Sequence, residues 1–471
     1  MNAPILEQGA GQGALQKVDA WLAEHRPRLL DELFQLLRAP SVSTDPAYAE
    51  GIRQAAEILQ SRLTRIGLRN VQLLDGGGHK AVYGEYLEAP GTPTLLVYGH
   101  YDVQPPDPLD EWTSPPFEPT ITDGNIRARG ASDDKSPLWI AISAIEAWLA
   151  VTGGLPCNVK FLLEGEEEVG SRTLPTIMTT HKDLLAADVL VSADGGRWRP
   201  GLVSTNTNSR GNIGMDVTIR TATRDLHSGR FGGPVASAPM VLARLLATLH
   251  DPEMRIAVRG FFDGLQRPGN ADIASMHALG FDEAKFFNDI GARPGAMEPG
   301  VLLLESLWLR PTIEVNGIAG GYDGPGGKTV IPAEARAKLT CRLGPGQIPD
   351  ACSAAVEAHL RAHCPPWADL TVTHGRRGTP AYAVPENDPH LAIVEQVVEQ
   401  VHGSKPLRVG IGGTLPISAM AKELLGLETV MLSYAIADEQ IHAPNEFFRL
   451  ESFTDGLAAW ARLLPAMGAL Q

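Results

Sequence analysis

Five short stretches rich in acidic or histidine residues each end or follow an apolar run that predicts a buried strand. These stretches occupy residues 99–102, 129–135, 166–171, 192–194 and 441–444. Each charge buried at such a place costs several kcal/mol unless a partner or a metal ion offsets the cost. Strand ends in open α/β sheets also open onto a cleft. The five stretches therefore predict a polar site at one sheet edge, with enough nitrogen and oxygen ligands for two metal ions and a base beside them.

Alternating helices and apolar runs predict an α/β fold for the two ends of the chain. Residues 18–37, 52–63 and 137–148 have the character of helices, the first two with a clear apolar face. The apolar runs cover residues 94–98, 159–163, 189–192 and 429–433. Continuous apolar runs between helices indicate strands that are buried on both faces. We therefore expect a mainly parallel sheet with helices on both sides.

The middle of the chain has a different pattern, with half-buried strands in place of fully apolar ones. Strands are predicted at residues 213–219, 312–315, 335–343 and 370–373, and helices at 237–249 and 350–362. This order of strand, helix, strand, strand, helix and strand is that of a ferredoxin-like α+β domain. An irregular insertion is expected at residues 251–310. The simplest division is a catalytic domain of residues 1–212 and 380–471, interrupted by a smaller domain of residues 213–379.

Composition excludes several classes of function. A net charge of −15 over 471 residues argues against nucleic-acid binding, which requires basic faces. No apolar stretch is long enough for a membrane span, and residues 1–13 lack a signal-peptide pattern and predict a short flexible arm. The four cysteines show no close pairing, which favours a reducing cytoplasm and argues against a thiolate zinc site.

The residue types allow some roles to be assigned directly. His100 is a strand-end imidazole suited to a metal ion, and Asp102 can accept its other ring N–H and fix the tautomer. A lone histidine of this kind is more often a satisfied core residue, but the companion stretches favour a ligand. Asp133 can bridge two metal ions with its two oxygens. The adjacent Asp134 cannot point the same way, so a structural role is expected for it.

In their order along the chain, these motifs resemble the dinuclear zinc hydrolases that include carnosinase, aminoacylase and glutamate carboxypeptidase. The resemblance spans nearly the whole chain, including the interrupted topology. Residues 224–229 and 328–332 and the long middle insertion resemble the carnosinase-like dipeptidases in particular. The resemblance also implies a cis peptide bond between Asp133 and Asp134. One departure is Ser136, which stands where relatives usually have glycine; it alters the local turn but removes no ligand.

The resemblance implies two zinc ions per subunit, with manganese or cobalt as substitutes. His100 and Asp194 would hold one ion, Glu168 and His442 the other, and Asp133 would be shared between them. Glu167 would be the general base that takes a proton from the attacking water. Runs such as Glu166-Glu167-Glu168 more often form a solvated surface. This run follows an apolar strand and precedes Gly170-Ser171, which argues for burial.

The resemblance assigns a second group of residues to the middle domain and the loop after residue 410. His227 would reach the neighbouring subunit's site and stabilise the tetrahedral oxyanion, so the chain is expected to form a homodimer through its inserted domain. Arg342 would grip a substrate carboxylate through its planar fork. Gly413 and Thr414 would form a carboxylate-binding backbone loop. Two further substrate-binding candidates are Asn316 and Thr329.

Two classes of function must be compared. The first is a hydrolase of amide bonds in small peptides with a free C-terminal carboxylate, and the second is a metal-holding binding protein that has lost the chemistry. Metal binding alone requires no base beside the ligand, so Glu167 favours the enzyme. Among enzymes, a dipeptidase differs from an N-acyl amino acid deacylase or a carboxypeptidase in what occupies the amine side of the bond. The carnosinase-like insertion favours the dipeptidase.

Overall fold

The computed structural model describes residues 9–295, 298–375 and 378–470. Its helices are α1 (Gly9–Arg38), α2 (Ala49–Arg65), α3 (Ser136–Thr152), α4 (Leu174–Thr180), α5 (Ser228–Phe231), α6 (Ala238–Ala247), α7 (Asn270–Ala278), α8 (Glu283–Asp289), α9 (Leu303–Trp308), α10 (Pro349–His363), α11 (Pro389–His402), α12 (Pro416–Met420) and α13 (Leu450–Gly468). Its strands are β1 (Arg69–Leu74), β2 (Ala81–Tyr86), β3 (Thr94–His100), β4 (Thr120–Thr122), β5 (Asn125–Arg127), β6 (Asn158–Glu164), β7 (Val189–Ser192), β8 (Ser204–Ser209), β9 (Gly211–Arg220), β10 (Leu226–His227), β11 (Thr312–Ala319), β12 (Val330–Ile331), β13 (Glu334–Leu343), β14 (Asp369–His374), β15 (Tyr382–Ala383), β16 (Leu407–Ile411), β17 (Thr429–Met431) and β18 (Phe447–Arg449).

These elements form two compact units. The first contains the described residues up to Thr207 together with Val384–Val409 and the described chain from Pro416 onward. The second contains Asn208–Ala383 together with Gly410–Leu415.

The first unit is organised by a six-stranded sheet with the strand order β1-β2-β6-β3-β7-β17. The strands β6, β3, β7 and β17 run parallel to one another. β3 illustrates why the apolar runs predict this arrangement, since all of its residues after the first are buried. The parallel part of the sheet thus follows the four apolar runs in the sequence.

Two strands of this sheet were missed by the sequence pattern. β1 and β2 pair antiparallel with each other, and β2 pairs antiparallel with β6. β1 begins with exposed residues, and Gly84 and Glu85 interrupt the apolar run of β2. Neither strand therefore shows the continuous apolar run by which buried strands are recognised, and both were left out of the predicted sheet.

Helix α3 is buried along almost its whole length and lies against α1 and α13. Its two tryptophans keep their indole N–H groups satisfied, because Trp139 donates to the Leu29 carbonyl and Trp148 to the Ala461 carbonyl, each at 2.9 Å. Helix α1 begins at Gly9, so the predicted flexible arm of residues 1–13 is helical from residue 9 onward. Residues 1–8 of this arm lie outside the described chain. None of the helices within the described ranges has the length and apolar character needed to cross a membrane.

The carboxyl ends of three adjacent strands place the predicted site. β6, β3 and β7 are neighbours and run parallel, and they end at Glu164, His100 and Ser192. The residues that follow these ends must therefore meet at one edge of the sheet. A smaller sheet of the same unit, ordered β18-β5-β4, leads into the segment that carries Asp133.

The second unit contains an antiparallel sheet ordered β11-β13-β9-β14. The helices α6 and α10 pack against this sheet. The core between them is apolar and includes Val217, Leu242, Leu339 and Val356, all of which are buried. The chain order β9, α6, β11, β13, α10 and β14 contains every strand and helix predicted for this region.

The insertion between α6 and β11 is more regular than predicted. It contains α7, α8 and α9, which are 9, 7 and 6 residues long. Helices of about two and a half turns or fewer do not repeat an apolar face often enough to be recognised by periodicity. The expectation of an irregular segment was therefore wrong for these three stretches.

Candidate metal centre

One cluster of ligand atoms joins the ends of β3 and β7 to the turn that follows β5. One ligand atom each from His100, Asp133 and Asp194 lies within 4.8 Å of the others. The Nε2 atom of His100 is 2.9 Å from Oδ1 of Asp133. His100 and Asp194 are buried, and Asp133 is partly buried. One imidazole nitrogen and two carboxylates therefore converge on one point at the sheet edge.

A second cluster shares Asp133 with the first. One ligand atom each from Asp133, Glu168 and His442 lies within 4.8 Å of the others. The Nε2 atom of His442 is 3.0 Å from Oδ2 of Asp133 and 3.3 Å from Oε2 of Glu168. The two oxygens of Asp133 thus face two imidazoles that come from opposite ends of the sequence.

The donor chemistry of both clusters fits divalent cations. Each cluster combines one imidazole nitrogen with two carboxylate groups, and zinc accepts such mixed nitrogen and oxygen sets. A catalytic zinc site uses three protein ligands and leaves a further position for water or substrate. The same donors also suit manganese and cobalt.

The electrostatics of the clusters show what a cation would replace. Burial alone would lower the pKa of His100, but hydrogen bonds to Asp102 and Asp133 raise it well above its ordinary value. Hydrogen bonds to Asp133 and Glu168 raise the pKa of His442 to about 10. Burial opposes ionisation of Asp133, yet the two imidazoles hold its pKa well below the ordinary range. The carboxylates around the two imidazoles therefore favour positive charge at this place.

Asp102 orders both the histidine and the glutamates beside it. The Nδ1 atom of His100 is 3.0 Å from the backbone carbonyl of Asp102 and 3.5 Å from its carboxylate. The same carboxylate accepts the backbone N–H groups of Glu167 and Glu168, each at 3.1 Å. One fully buried residue thus directs Nε2 of the imidazole toward Asp133 and also fixes the turn that carries the two glutamates.

The three consecutive glutamates point to different surroundings. Glu166 accepts the backbone N–H groups of His79 and Thr173, so it supports the loops around it. Glu168 accepts the Gln104 side-chain amide at 2.8 Å while it faces His442. Burial raises the pKa of Glu167 well above its ordinary value, despite the opposing effect of His100. The run is therefore not a solvated surface, and its members differ in environment.

Asp134 points away from the clusters. The peptide bond that joins it to Asp133 is cis, as the resemblance implied. Its Oδ2 atom accepts the backbone N–H of His100 at 3.1 Å. The next residue, Lys135, donates from Nζ to the carbonyls of Leu36 and Ala39, and α3 begins at Ser136. Asp134 thus supports the end of β3, in keeping with a structural role.

Two buried acidic residues near the clusters were missed by the sequence analysis. The carboxylate of Glu446 accepts the backbone N–H groups of Gly130, Ser132 and Asp133 at 2.8–3.1 Å. Glu439 accepts the hydroxyl of Ser132. Both glutamates lie in a loop region of mixed polar residues, where a charged side chain is ordinarily solvated, so no local pattern marks them.

In the second unit, the structure places His227 beside Thr329. His227 ends β10, which pairs with β12, and the Thr329 carbonyl accepts the backbone N–H of Ser228. The Nδ1 atom of His227 accepts the backbone N–H of Gly229 at 3.0 Å. In a neutral ring this contact leaves the proton on Nε2, and the side chain is exposed. His227 therefore presents a hydrogen-bond donor to its surroundings.

The structure also brings Arg342 and Thr414 together in this unit. Nη1 of Arg342 donates to the Thr414 hydroxyl at 2.9 Å, and burial lowers the pKa of the guanidinium. The backbone N–H of Arg210 donates to the Gly413 carbonyl at 3.0 Å, which supports the same loop. Asn316 lies apart from this pair, exposed at a β-bulge of β11.

The chain belongs to the peptidase family M20/M25/M40, whose model matches residues 96–466. The family resemblance drawn from the motifs is therefore confirmed. The large mixed sheet of the first unit also agrees with solved structures of the family. The "M20 family metallo-carboxypeptidase Sso-CP2" of Sulfolobus solfataricus has a TM-score of 0.82 and 29% identity, covering 94% of this chain and 99% of its own.

Curated relatives of similar length carry dipeptidase names. The Beta-Ala-His dipeptidase of Homo sapiens is 27% identical over 97% of this chain and 93% of its own length. The Cys-Gly metallodipeptidase dug1 of Schizosaccharomyces pombe is also 27% identical, over 94% of this chain and 96% of its own length. The solved structure of human carnosine dipeptidase 1 has a TM-score of 0.78 and 27% identity, covering 97% of this chain and 99% of its own.

Cation binding should release protons from the metal-free chain. The pKa values of His100 and His442 are raised, so both imidazoles hold protons near neutral pH, and a cation requires them to be neutral. Isothermal titration with zinc in two buffers of different ionisation enthalpy should show release of roughly one proton per imidazole. Affinity should fall as the pH is lowered. His442→Asn should remove about one released proton. Equal heats in both buffers would contradict this account.

Proposed function

We propose that the chain is a metal-dependent dipeptidase that cleaves amide bonds in small peptides with a free C-terminal carboxylate. The observation that carries this proposal is the pair of ligand clusters that share Asp133, with the partly buried Glu167 next to the ligand Glu168. Membership of a peptidase family and the dipeptidase names of the relatives support it. The four free cysteines, three of them buried, support a reducing, cytoplasmic location.

We further propose that the first unit is the catalytic domain and the second a ferredoxin-like lid and dimerisation domain. The antiparallel order β11-β13-β9-β14 with two helices packed on the sheet supports the second assignment. The boundaries predicted at residues 212 and 379 are themselves paired, because the backbone groups of Asn212 and Thr379 exchange hydrogen bonds of 2.8 and 2.9 Å. Such a pairing ties together the two places where the chain enters and leaves the inserted domain.

Two zinc ions per subunit are proposed as cofactors, with manganese or cobalt as substitutes. His100 and Asp194 would hold one ion, Glu168 and His442 the other, and Asp133 would bridge them. When bound, such ions supply Lewis acidity that polarises the scissile carbonyl and makes water more acidic. Asp102 supports this arrangement because it orients the His100 ring and the Glu168 backbone at once.

Glu167 is proposed as the general base. It takes a proton from the attacking water as the new C–O bond forms, and it later gives this proton to the amide nitrogen, which leaves as an amine when the C–N bond breaks. A carboxylate whose pKa is raised by burial holds the proton between these steps more readily than an exposed carboxylate. Its backbone N–H is fixed by Asp102, so its side chain starts from a defined position.

Substrate binding is assigned to the second unit. Nε2–H of His227 is proposed to donate to the carbonyl oxygen as it becomes negatively charged, at the site of the neighbouring subunit. Arg342, with Gly413 and Thr414, would bind the C-terminal carboxylate of the substrate. Thr329 is held beside His227, and Asn316 remains a further candidate for a substrate contact.

A homodimer built through the second unit is supported by the edge of its sheet. Within the described part of the chain, β11 pairs with a strand only on its β13 side, so the backbone groups of its other side are available to a second strand. Val315 and Ile318 on this strand are 40% and 62% exposed. A second copy of the chain could cover these apolar side chains and pair with the strand.

Other enzyme activities of the family remain as the second candidate. N-acyl amino acids offer the same amide bond and carboxylate as dipeptides, and a metallo-carboxypeptidase shares the fold. A non-enzymatic metal-binding protein is disfavoured, because metal binding alone does not require a base such as Glu167 next to the ligand Glu168.

Dipeptides should be hydrolysed faster than N-acyl amino acids, and both faster than substrates without a free carboxylate. A dipeptide and its C-terminal amide form a matched pair, since the amide cannot form a charged pair with Arg342. The kcat/KM of the amide should be lower than that of the dipeptide by a factor of roughly ten or more. Steady-state assays across such a panel, on metal-loaded protein, measure this. Preferential hydrolysis of N-acyl amino acids would assign the chain to the deacylases.

Glu167→Gln and Glu168→Gln should fail in different ways. Glu167→Gln should keep near-normal metal content and lose roughly 10²-fold or more in rate, because the general base is missing. Glu168→Gln should weaken the binding of one of the two ions, because the cluster of Asp133, Glu168 and His442 loses one of its carboxylate ligands. Elemental analysis and kinetics on both variants separate the roles. Equal metal loss in the two variants, or only one tightly bound ion in the wild type, would contradict the roles assigned to Glu167 and Glu168.

Subunits with complementary defects should restore activity when they are mixed. Homodimers of Glu167→Gln and of His227→Ala should each be nearly inactive. A heterodimer contains one site with an intact Glu167 and the partner's intact His227, so it should recover towards half the activity of a wild-type dimer. If His227 acted within its own chain, neither site of the heterodimer would be complete. Absence of recovery after confirmed subunit exchange would therefore exclude the shared site.

A further inference from the structure

The carboxylate of Glu446 is the acceptor for one whole turn of the chain. Its Oε2 atom accepts from Nη1 of Arg129 at 2.7 Å and from the backbone N–H of Gly130 at 2.9 Å. Its Oε1 atom accepts from the backbone N–H groups of Ser132 at 2.8 Å and Asp133 at 3.1 Å. The side chain is only 1% exposed. Four donors therefore surround a single buried charge, and the last of them belongs to Asp133.

The main chain of Glu446 is tied to the same segment. Its carbonyl accepts the backbone N–H of Ala128 at 3.2 Å, and the strand that follows it, β18, pairs with β5. Gly130 is the residue that allows the turn to close, because its φ of +79° favours glycine and an added Cβ would collide with Val103. The segment that leads to Asp133 is thus fixed by both the backbone and the side chain of Glu446.

The other end of this connection carries His442. Gln440, His442 and Asn445 all have left-handed φ values, of 56°, 63° and 63°. Non-glycine residues persist in this conformation where the surrounding contacts hold them. Glu439 and Glu446 lie on either side of His442 and provide such contacts, since Glu439 accepts the hydroxyl of Ser132. The two glutamates therefore join the His442 loop to the residues around Asp133.

We infer that Glu446, supported by Glu439, is a positioning residue that aligns Asp133 with His100 and His442 and thereby sets the affinity of both donor clusters for their cations. The inference rests on the proposed function, because it gives these clusters a metal to hold. Asp133 and Glu446 are 313 residues apart in the sequence, so no local structure could align them. A carboxylate that accepts three backbone N–H groups orients the Cα–Cβ bond of Asp133, and through it both carboxylate oxygens.

Glu446→Gln tests this with little change in shape. Both oxygens of Glu446 face N–H donors, so the amide group of glutamine must turn its NH₂ toward one pair of donors whichever way it is placed. Zinc affinity, measured by competition with a chromogenic chelator, should fall roughly 10- to 100-fold. The visible absorption spectrum of the cobalt-loaded variant should also differ from that of the wild type.

Glu395→Gln is the matched control. Glu395 is another carboxylate of the first unit and pairs with Arg408 at 2.7 Å. Among the described residues, its ion pair is with Arg408 and with no residue of the two ligand clusters. This variant should lower the melting temperature while zinc affinity and the cobalt spectrum stay as in the wild type. If Glu446→Gln behaved in the same way as Glu395→Gln, the inference would be overturned and Glu446 would have only a structural role.

A milder variant decides the matter if Glu446→Gln does not fold. Glu446→Asp keeps the negative charge but shortens the side chain by one methylene, which draws the carboxylate away from the backbone N–H groups of Ser132 and Asp133. Zinc affinity should then fall several-fold, and unchanged affinity would overturn the inference. A wild-type chain that bound no divalent cation tightly would instead defeat the proposed function, so the two failures are distinct.

Discussion

The carboxylate of Asp133 lies between two imidazoles, and most of the site depends on this contact. His100 approaches one oxygen at 2.9 Å and His442 the other at 3.0 Å. Further carboxylates surround this group, and hydrogen bonds to the carboxylates raise the pKa of both imidazoles. The site therefore favours the binding of positive charge. Divalent cations would supply the same charge at the same atoms while leaving both imidazoles neutral.

Around this contact, the first unit uses backbone N–H groups to hold its carboxylates. Asp102 accepts two of them and fixes the glutamate turn. Glu446 accepts three and fixes the turn that contains Asp133. Buried carboxylates that are satisfied in this way keep one orientation, which a metal site requires of its ligands. The supporting residues are thus aspartate and glutamate, the same residue types as the carboxylate ligands. Only their positions in the structure distinguish the two roles.

The adjacent glutamates 166–168 show how far residue type can go without geometry. Their place after an apolar strand correctly indicated burial, yet nothing in three identical side chains says which one faces the clusters. The structure turns Glu166 toward Thr173 and brings Glu168 to His442, because the chain bends between them in a single tight turn. β8 is a second example: its residues, Ser204–Ser209, are all polar and all buried, so a polar sequence gave no indication of a buried strand.

The sequence by itself determined which strands are buried and which residues stand at their ends. Those features depend on neighbouring residues alone: the apolar runs of β3, β6 and β7 are followed at once by His100, the glutamates and Asp194. Tertiary structure alone decided how distant segments meet. His442 is 309 residues from Asp133, and Glu446 is 313 residues from the same residue. Their contacts arise because chain folding brings the segment before β18 alongside β5, and no pattern of neighbouring residues encodes such a pairing.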